Sequence, residues 1–327
     1  MHDERPWLDE RAPVRVGISS CLLGEEVRFD GGHKRDLFLL ESLGRFVDWV
    51  PLCPEVDAGL SIPRSALRLV RDASPDEVRV EESRSGVDRT SLLDRAARKQ
   101  VSWTGKQGLS GFVLKRDSPS CGLERVKVYR QGMPSRRDGR GRFAAELVRR
   151  FPDLPIEEEG RLRDANLREN FVERVFAYQR LETFFSSRWT PGAIVAFHTA
   201  HKLQLMAHSP QTYRSLGRLV AAIRDTPRSE FRARYMSEFS AGMRKLATRG
   251  RVTNVLQHMA GYFRRSLDED SRRELAGLIE DYREGLAPIV VPLTLIRHHA
   301  RALKVDYLLG QVYLEPHPKE LMLRNHV

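Results

Sequence analysis

The amino-acid sequence predicts an α/β domain built on a mostly parallel sheet, followed by an all-α helical domain. Three observations carry this reading. A chain of 327 residues is longer than one hydrophobic core usually organises. In the first half, short apolar runs ending in turn residues alternate with helical segments, the pattern of a parallel sheet. From Asn170 onward apolar residues recur at helical spacing, as in Phe171, Val175 and Tyr178 and again in Leu216, Leu219, Val220 and Ile223.

The elements follow in order. Val14-Arg15-Val16-Gly17-Ile18 reads as a strand that runs into Ser19-Ser20-Cys21, with a glycine turn at Leu22-Leu23-Gly24. Residues 46–52 form a second apolar stretch, ending at Cys53-Pro54-Glu55. Residues 90–100, rich in Leu, Ala, Arg and Lys, read as a helix. Gly111-Phe112-Val113-Leu114 is a third strand, ending at Ser118-Pro119-Ser120-Cys121-Gly122. The acidic, proline-containing segment 153–163 closes the first domain. The expected boundaries are an α/β domain over 1–165, a linker helix over 166–185 and an all-α domain over 186–327. Breaks such as Thr190-Pro191-Gly192 and Ser209-Pro210 separate the helices of the last.

Composition narrows the class. Hydrophobic residues at 41% and charged residues at 30% suit a folded globular protein and exclude a disordered or fibrous one. The longest apolar run, 286–296, is interrupted by Pro288, Pro292 and Thr294 and falls far short of the ~20 residues of a membrane span. Met1-His2-Asp3-Glu4-Arg5 has no apolar signal core, so a cytoplasmic protein is expected. Net charge is +11, which points to an anionic partner. The charge is uneven: residues 1–165 hold 30 Lys and Arg against 28 Asp and Glu, whereas 166–327 hold 25 against 16. A basic stretch runs through Arg125, Lys127, Arg130, Arg136, Arg137, Arg140, Arg142, Arg149 and Arg150, and reads as a phosphate-binding surface or a solvated loop.

The chain has only three cysteines, an odd count that argues against a disulfide scaffold. Each follows a predicted strand. The carboxyl ends of parallel strands share one edge, where ligands bind, so residues 32 and 68 positions apart can meet there. Free cysteine also packs as a small core hydrophobe. Serines, prolines and glycines around Cys21, Cys53 and Cys121 describe a crevice lining better than an interior. Zinc competes as the metal, but structural zinc takes four ligands, often in close pairs, and the sequence has no CxxC. Three thiolates suit a [4Fe–4S] cluster with one open iron, since such clusters ordinarily use four cysteines. The spacing alone does not decide between these readings.

Ser19-Ser20-Cys21-Leu22-Leu23-Gly24, Val27-Arg28-Phe29-Asp30-Gly31-Gly32, Cys53-Pro54-Glu55-Val56-Asp57-Ala58-Gly59-Leu60, Pro63-Arg64 and Ser118-Pro119-Ser120-Cys121-Gly122 resemble the motif series of the thiouracil desulfurase family. The resemblance spans roughly residues 14–165. It implies a Rossmann-like domain and a [4Fe–4S] cluster on Cys21, Cys53 and Cys121, with the fourth iron open to the substrate sulfur. The second half resembles the helical YbgA-type domain, through Ala196-Phe197-His198-Thr199-Ala200-His201-Lys202, Met206-Ala207-His208-Ser209-Pro210, Tyr213-Arg214-Ser215-Leu216-Gly217, Leu256-Gln257-His258, Gly261-Tyr262-Phe263, Pro292-Leu293-Thr294-Leu295 and Tyr313-Leu314-Glu315-Pro316-His317-Pro318. The fused arrangement is similar to prokaryotic proteins that remove sulfur from 4-thiouridine in RNA. It implies tRNA as substrate, and the iron–sulfur assembly machinery as a partner in vivo.

On this reading an open iron, a soft Lewis acid, binds a thiocarbonyl sulfur, water adds to the ring carbon and sulfide leaves without net redox change. Water addition needs a base and departing sulfur a proton donor. Glu55 is the first candidate, or else a helix-opening carboxylate; Asp30 and Asp57 are reserves, and Asp30-Gly31-Gly32 also reads as a turn. Ser118 and Ser120 are candidates for hydrogen bonds to the pyrimidine or cluster, or turn caps. Lys115 is a candidate to offset cluster charge or hold a phosphate. Ser19, Ser20, Arg28, Arg64, Arg136, Arg137, Lys202, Arg214, Arg297 and Arg301 are candidate substrate or RNA contacts. The alternatives are the same chemistry on a free base such as 2-thiouracil, and a non-catalytic iron–sulfur regulator that binds nucleic acid.

Overall fold

The computed structural model describes residues 13–71, 78–130 and 132–326. Met1-His2-Asp3-Glu4-Arg5, read above for the absence of a signal, lies outside the described residues. The chain divides into two compact units, one of Glu10–Asp164 and one that includes Ala165–Val327. The first is α/β and the second is helical.

The α/β unit holds two four-stranded sheets. The first is wholly parallel, in the order β2 (Asp48–Leu52), β1 (Arg15–Ser19), β5 (Gly111–Leu114), β8 (Ile156–Glu158). Val16, Ile18, Phe112, Val113 and Leu114 are fully buried in it, as expected for strands covered on both faces. The second sheet, β4 (Val78–Glu82), β3 (Leu67–Arg71), β6 (Val126–Arg130), β7 (Met133–Gly139), is mixed, with β3 and β6 parallel and the outer pairs antiparallel. Leu69, Val80, Val126 and Val128 form its apolar core with Leu93 of a helix, Thr90–Thr104.

This second sheet is a finding that the apolar pattern did not carry. Its strands are heavily charged, and Arg68 and Glu81, register partners on β3 and β4, pair at 2.6 Å across the ladder. The basic stretch is likewise ordered. Val126 and Val128 of β6 point inward, while β7 presents Arg136 and Arg137 to solvent, and Arg142–Arg150 is a helix with Phe143 and Leu147 buried.

Helices of the α/β unit are α1 (Pro54–Asp57), α2 (Thr90–Thr104) and α3 (Arg142–Arg150). The helical unit comprises α4 (Ala165–Ser186), α5 (Pro191–Ala200), α6 (Lys202–His208), α7 (Pro210–Ala221), α8 (Arg228–Met243), α9 (Arg249–Gly261), α10 (Glu269–Glu284), α11 (Val290–Ala302) and the short α12 (Asp306–Leu309). The breaks seen in the sequence are N-caps. Thr190 and Ser209 each accept the N–H three residues on, with proline at the first helical position. Residues 166–185, expected as a linker helix, lie in α4, whose Leu181, Phe184 and Phe185 join Phe197, Phe231, Tyr235 and Phe239 in a mostly aromatic core. No helix among the described residues is long and apolar enough to cross a membrane.

Candidate metal centre

The three cysteines, all free thiols, arrive at one place because β1, β2 and β5 are parallel neighbours. Cys21 lies in the 3₁₀ turn that follows β1 directly. The turn closes on Gly24, whose φ of +98° suits glycine, and the Cys21 carbonyl accepts N–H groups from Gly24 and Lys34 at 3.4 and 2.8 Å. Cys53 follows β2 directly and precedes Pro54, the first residue of the single-turn α1; its carbonyl accepts the Asp57 N–H at 3.0 Å. Cys121 sits in a tight loop after β5. Ser118 Oγ accepts the N–H groups of Ser120 and Cys121 at 3.2 and 3.0 Å, and the first N–H groups of α3 go to this loop, that of Arg142 to the Pro119 carbonyl and those of Phe143 and Ala144 to the Ser120 carbonyl. Ser118 is thus a turn cap.

All three cysteines line a cavity of about 340 Å³, together with Ser19, Ser20, Arg28, Glu55, Arg64, Lys115 and Ser118. That volume lies within the range of small-molecule sites, about 300–1,000 Å³. Burial pushes all three thiols up, Cys21 to about 11, and their proximity to one another adds to this at Cys21 and Cys121. Arg28 and Lys115 act in the opposite sense on Cys21. Such thiols are poor nucleophiles on their own, and become thiolates where a cationic metal group meets them. Among the described residues, no group of three or more His, Cys, Asp and Glu side chains is arranged to hold a single metal ion. A cluster spreads its ligands over several irons, and three thiolates lining one cavity are compatible with that arrangement. The donor set therefore suits an iron–sulfur cluster.

Beside the thiols lies an ordered carboxylate. Glu55 Oε2 accepts Nε and Nη2 of Arg64 at 3.0 and 2.8 Å, and Oε1 accepts the Ser120 hydroxyl at 2.9 Å. Arg64 is nearly buried and also donates to the carbonyls of Val27 and Ser61. Its guanidinium thus holds Glu55 in place while lining the cavity.

Comparison with known proteins agrees with this architecture. Residues 16–159 match the family model described as 2-thiouracil desulfurase, and residues 202–318 match that of a protein of unknown function, DUF1722. YbgA of Escherichia coli (strain K12) is 35% identical over 153 residues, 46% of this chain and 90% of YbgA. YbbK of Bacillus subtilis (strain 168) is 32% identical over 111 residues, 32% of this chain and 71% of YbbK. The chain belongs to the 2-thiouracil desulfurase and DUF1722 families. A solved [4Fe-4S]-dependent thiouracil desulfidase, TudS, shares 33% identity over 46% of this chain and 93% of its own, with a TM-score of 0.38.

The remaining candidates of the desulfurase unit distribute as follows. Ser19 and Ser20 are buried in the cavity wall, and Ser19 Oγ accepts the Lys115 N–H at 3.0 Å. The Lys115 ammonium pairs with Glu159 Oε1 at 2.5 Å, which leaves it little freedom to hold a phosphate. Asp30 is exposed outside the cavity lining; hydrogen bonds from Arg28 hold its carboxyl below the usual range, and it accepts the Gly32 N–H as a turn residue. Asp57 accepts Gln100 Nε2 at 2.8 Å. Arg136 and Arg137 are exposed, the latter paired with Asp117 at 2.9 Å.

In the DUF1722 unit, Arg214 donates to its own helix at Pro210, Arg297 pairs with Glu315 at 2.7 Å, and Arg301 is exposed. Lys202 lies over the rings of Tyr213 and Tyr307. Sequence reasoning missed Glu159, the partner of Lys115, and Glu158, which accepts the N–H groups of Leu123 and Glu124. Both stand at the carboxyl end of β8, so the strand-end argument that found the cysteines also reaches the run Glu157-Glu158-Glu159.

Proposed function

We propose that the chain removes sulfur from thiolated pyrimidines with a [4Fe–4S] cluster held by Cys21, Cys53 and Cys121, and that its substrate is 4-thiouridine in tRNA. The observation that carries this reading is the convergence of three cysteines from neighbouring parallel strands on one cavity, beside a carboxylate held at both oxygens. When bound, the cluster supplies an open iron, a soft acceptor matched to thiocarbonyl sulfur.

The chain's own residues do the proton work. Glu55, held in place by Arg64, takes a proton from the water that adds to the sulfur-bearing ring carbon. The same proton, together with the second from that water, leaves with the sulfur as hydrogen sulfide, so a thiocarbonyl and water give a carbonyl and hydrogen sulfide. Ser120, donating to Glu55 Oε1, keeps that oxygen facing its own loop and Cys121. Lys115, bound to Glu159, eases negative charge on Cys21.

The excess of basic residues over 166–327 favours a polyanionic substrate, since phosphate neutralisation gives affinity that a free base does not need. A second reading, desulfuration of a free base such as 2-thiouracil, is favoured by the description of the matched family. The test is anaerobic reconstitution, then incubation with thiolated tRNA and with 2-thiouracil. Loss of the near-ultraviolet 4-thiouridine absorption with stoichiometric sulfide is expected, and faster turnover on the free base would favour the second reading. Cys53→Ser is expected to lose both colour and turnover; a fully active Cys53→Ser protein overturns the cluster assignment.

A further inference from the structure

The helical unit contains a cation with no acid beside it. Lys202, at the start of α6, is half-buried, and its ammonium has no hydrogen-bond or ion-pair partner among the described residues. Its neighbours are ring faces: Nζ lies 5.6 Å from the centroid of Tyr213 and 5.9 Å from that of Tyr307. Tyr307 in turn stacks on Tyr262, at 4.9 Å between centroids and 16° between planes. Tyr262 remains 40% exposed, and the exposed His258 meets it edge-on at 5.6 Å.

A buried side-chain amide holds this group together. Buried Gln311 accepts the Leu203 N–H at 3.3 Å, and its amide donates to the carbonyls of Thr199 and Tyr307, at 2.8 and 3.4 Å. One side chain thereby ties the α5–α6 junction, which carries Lys202, to α12, which carries Tyr307.

Ring faces attract an ammonium less strongly than an anion in direct contact does, and this one meets rings alone among the described residues. The arrangement makes physical sense if an anion arrives from outside, next to an open aromatic surface. A phosphate followed by an unstacked base has both properties. We propose that Lys202, Tyr262 and Tyr307 form a subsite for one unstacked nucleotide of a single-stranded RNA segment, the ammonium meeting its phosphate and Tyr262 carrying its base. This rests on the reading of the chain as an RNA desulfurase and adds to it a specific point of grip in the DUF1722 unit.

The test uses the full-length protein, an unmodified tRNA and a short single-stranded RNA bearing 2-aminopurine. Wild-type protein is expected to bind both and to quench the 2-aminopurine. Tyr262→Ala is expected to weaken binding about five-fold or more and to lose the quench, whereas Tyr262→Trp retains both. Lys202→Ala is expected to lower the slope of log affinity against log salt by about 0.7. Matched thermal unfolding of the exposed-site Tyr262 variants shows that the fold is intact. Wild-type binding with unchanged affinity and slope in Tyr262→Ala and Lys202→Ala overturns the subsite and leaves the RNA reading standing. Absence of any wild-type RNA binding at low salt overturns both. Displacement of RNA by inorganic phosphate at equal concentration, with no 2-aminopurine response, overturns the assignment to a nucleotide.

Discussion

Glu55 shows what a single side chain requires at this site. Two residues after Cys53, it opens a one-turn helix, yet its oxygens face Arg64 and Ser120, from two other segments. A carboxylate held by a guanidinium on one side and a hydroxyl on the other is fixed in direction as well as charge. Replacing Glu55 by Gln keeps the shape and removes the proposed base. Turnover is expected to fall about 10²- to 10⁴-fold, with iron content unchanged. Sulfide release and iron analysis on the same preparation check this, and a fully active variant removes Glu55 from the proton transfer. Arg64→Ala leaves Glu55 with an unmatched charge, and the denaturant midpoint is expected to drop by the equivalent of about 2 kcal/mol.

At the scale of elements, the Cys121 loop and the start of α3 are one structure. Gly141 donates to the Gly122 carbonyl at 2.7 Å, and a Cβ there would stand 2.4 Å from the Ser120 carbonyl oxygen. Backbone cannot give way as a flexible side chain does. Gly141→Ala is therefore expected to displace the loop, costing about 1–3 kcal/mol and lowering the iron retained after reconstitution. Unfolding curves and iron content measure the two effects.

The contact between α4 and α6 has a pH signature. His208 Nε2 stands 3.3 Å from Glu173 Oε2, both deeply buried, with Arg324 3.8 Å from Glu173. Burial alone would raise Glu173, but His208 and Arg324 hold its carboxyl well below the ordinary value of 4.5. Burial would lower His208, but Glu173 raises its imidazole above 6.5. A lowered carboxyl stabilises the fold above its unfolded value and loses that contribution as pH falls. A raised imidazole stabilises below its unfolded value and loses that contribution as pH rises. The stability advantage of the wild type over Glu173→Gln is expected to be greatest between pH 4.5 and 6.5 and to shrink on either side. Urea titrations across pH read this, and a pH-independent difference argues against the pairing.

For the whole molecule, charge sets the behaviour. A net +11 concentrated in residues 166–327 favours association with polyanions. Affinity for unmodified tRNA is expected to fall steeply between 50 and 200 mM salt, by about 10³-fold or more if six or more phosphates are met. Turnover of free 2-thiouracil is expected to change little over the same range. Filter binding and sulfide release at matched salt compare the two, and a flat salt response for tRNA argues against phosphate recognition.

How much of this was legible in the sequence depended on how local the signal is. The parallel sheet, the placement of Cys21, Cys53 and Cys121 at strand ends and the change to helical texture near Asn170 all come from periodicity and turn residues within short windows. Such patterns report burial of one face or of both, and they survive without knowledge of distant partners. The second sheet was hidden because its strands pair charged residues across the ladder, as Arg68 does with Glu81, so its apolar alternation is faint. Only tertiary structure decided that Arg64 clamps Glu55 instead of facing solvent, that Lys115 meets Glu159, and that Lys202 lies among tyrosines 11 and 105 positions away. A side chain's partner is set by which segments the packed core brings within hydrogen-bond reach, and that geometry is a property of the whole fold.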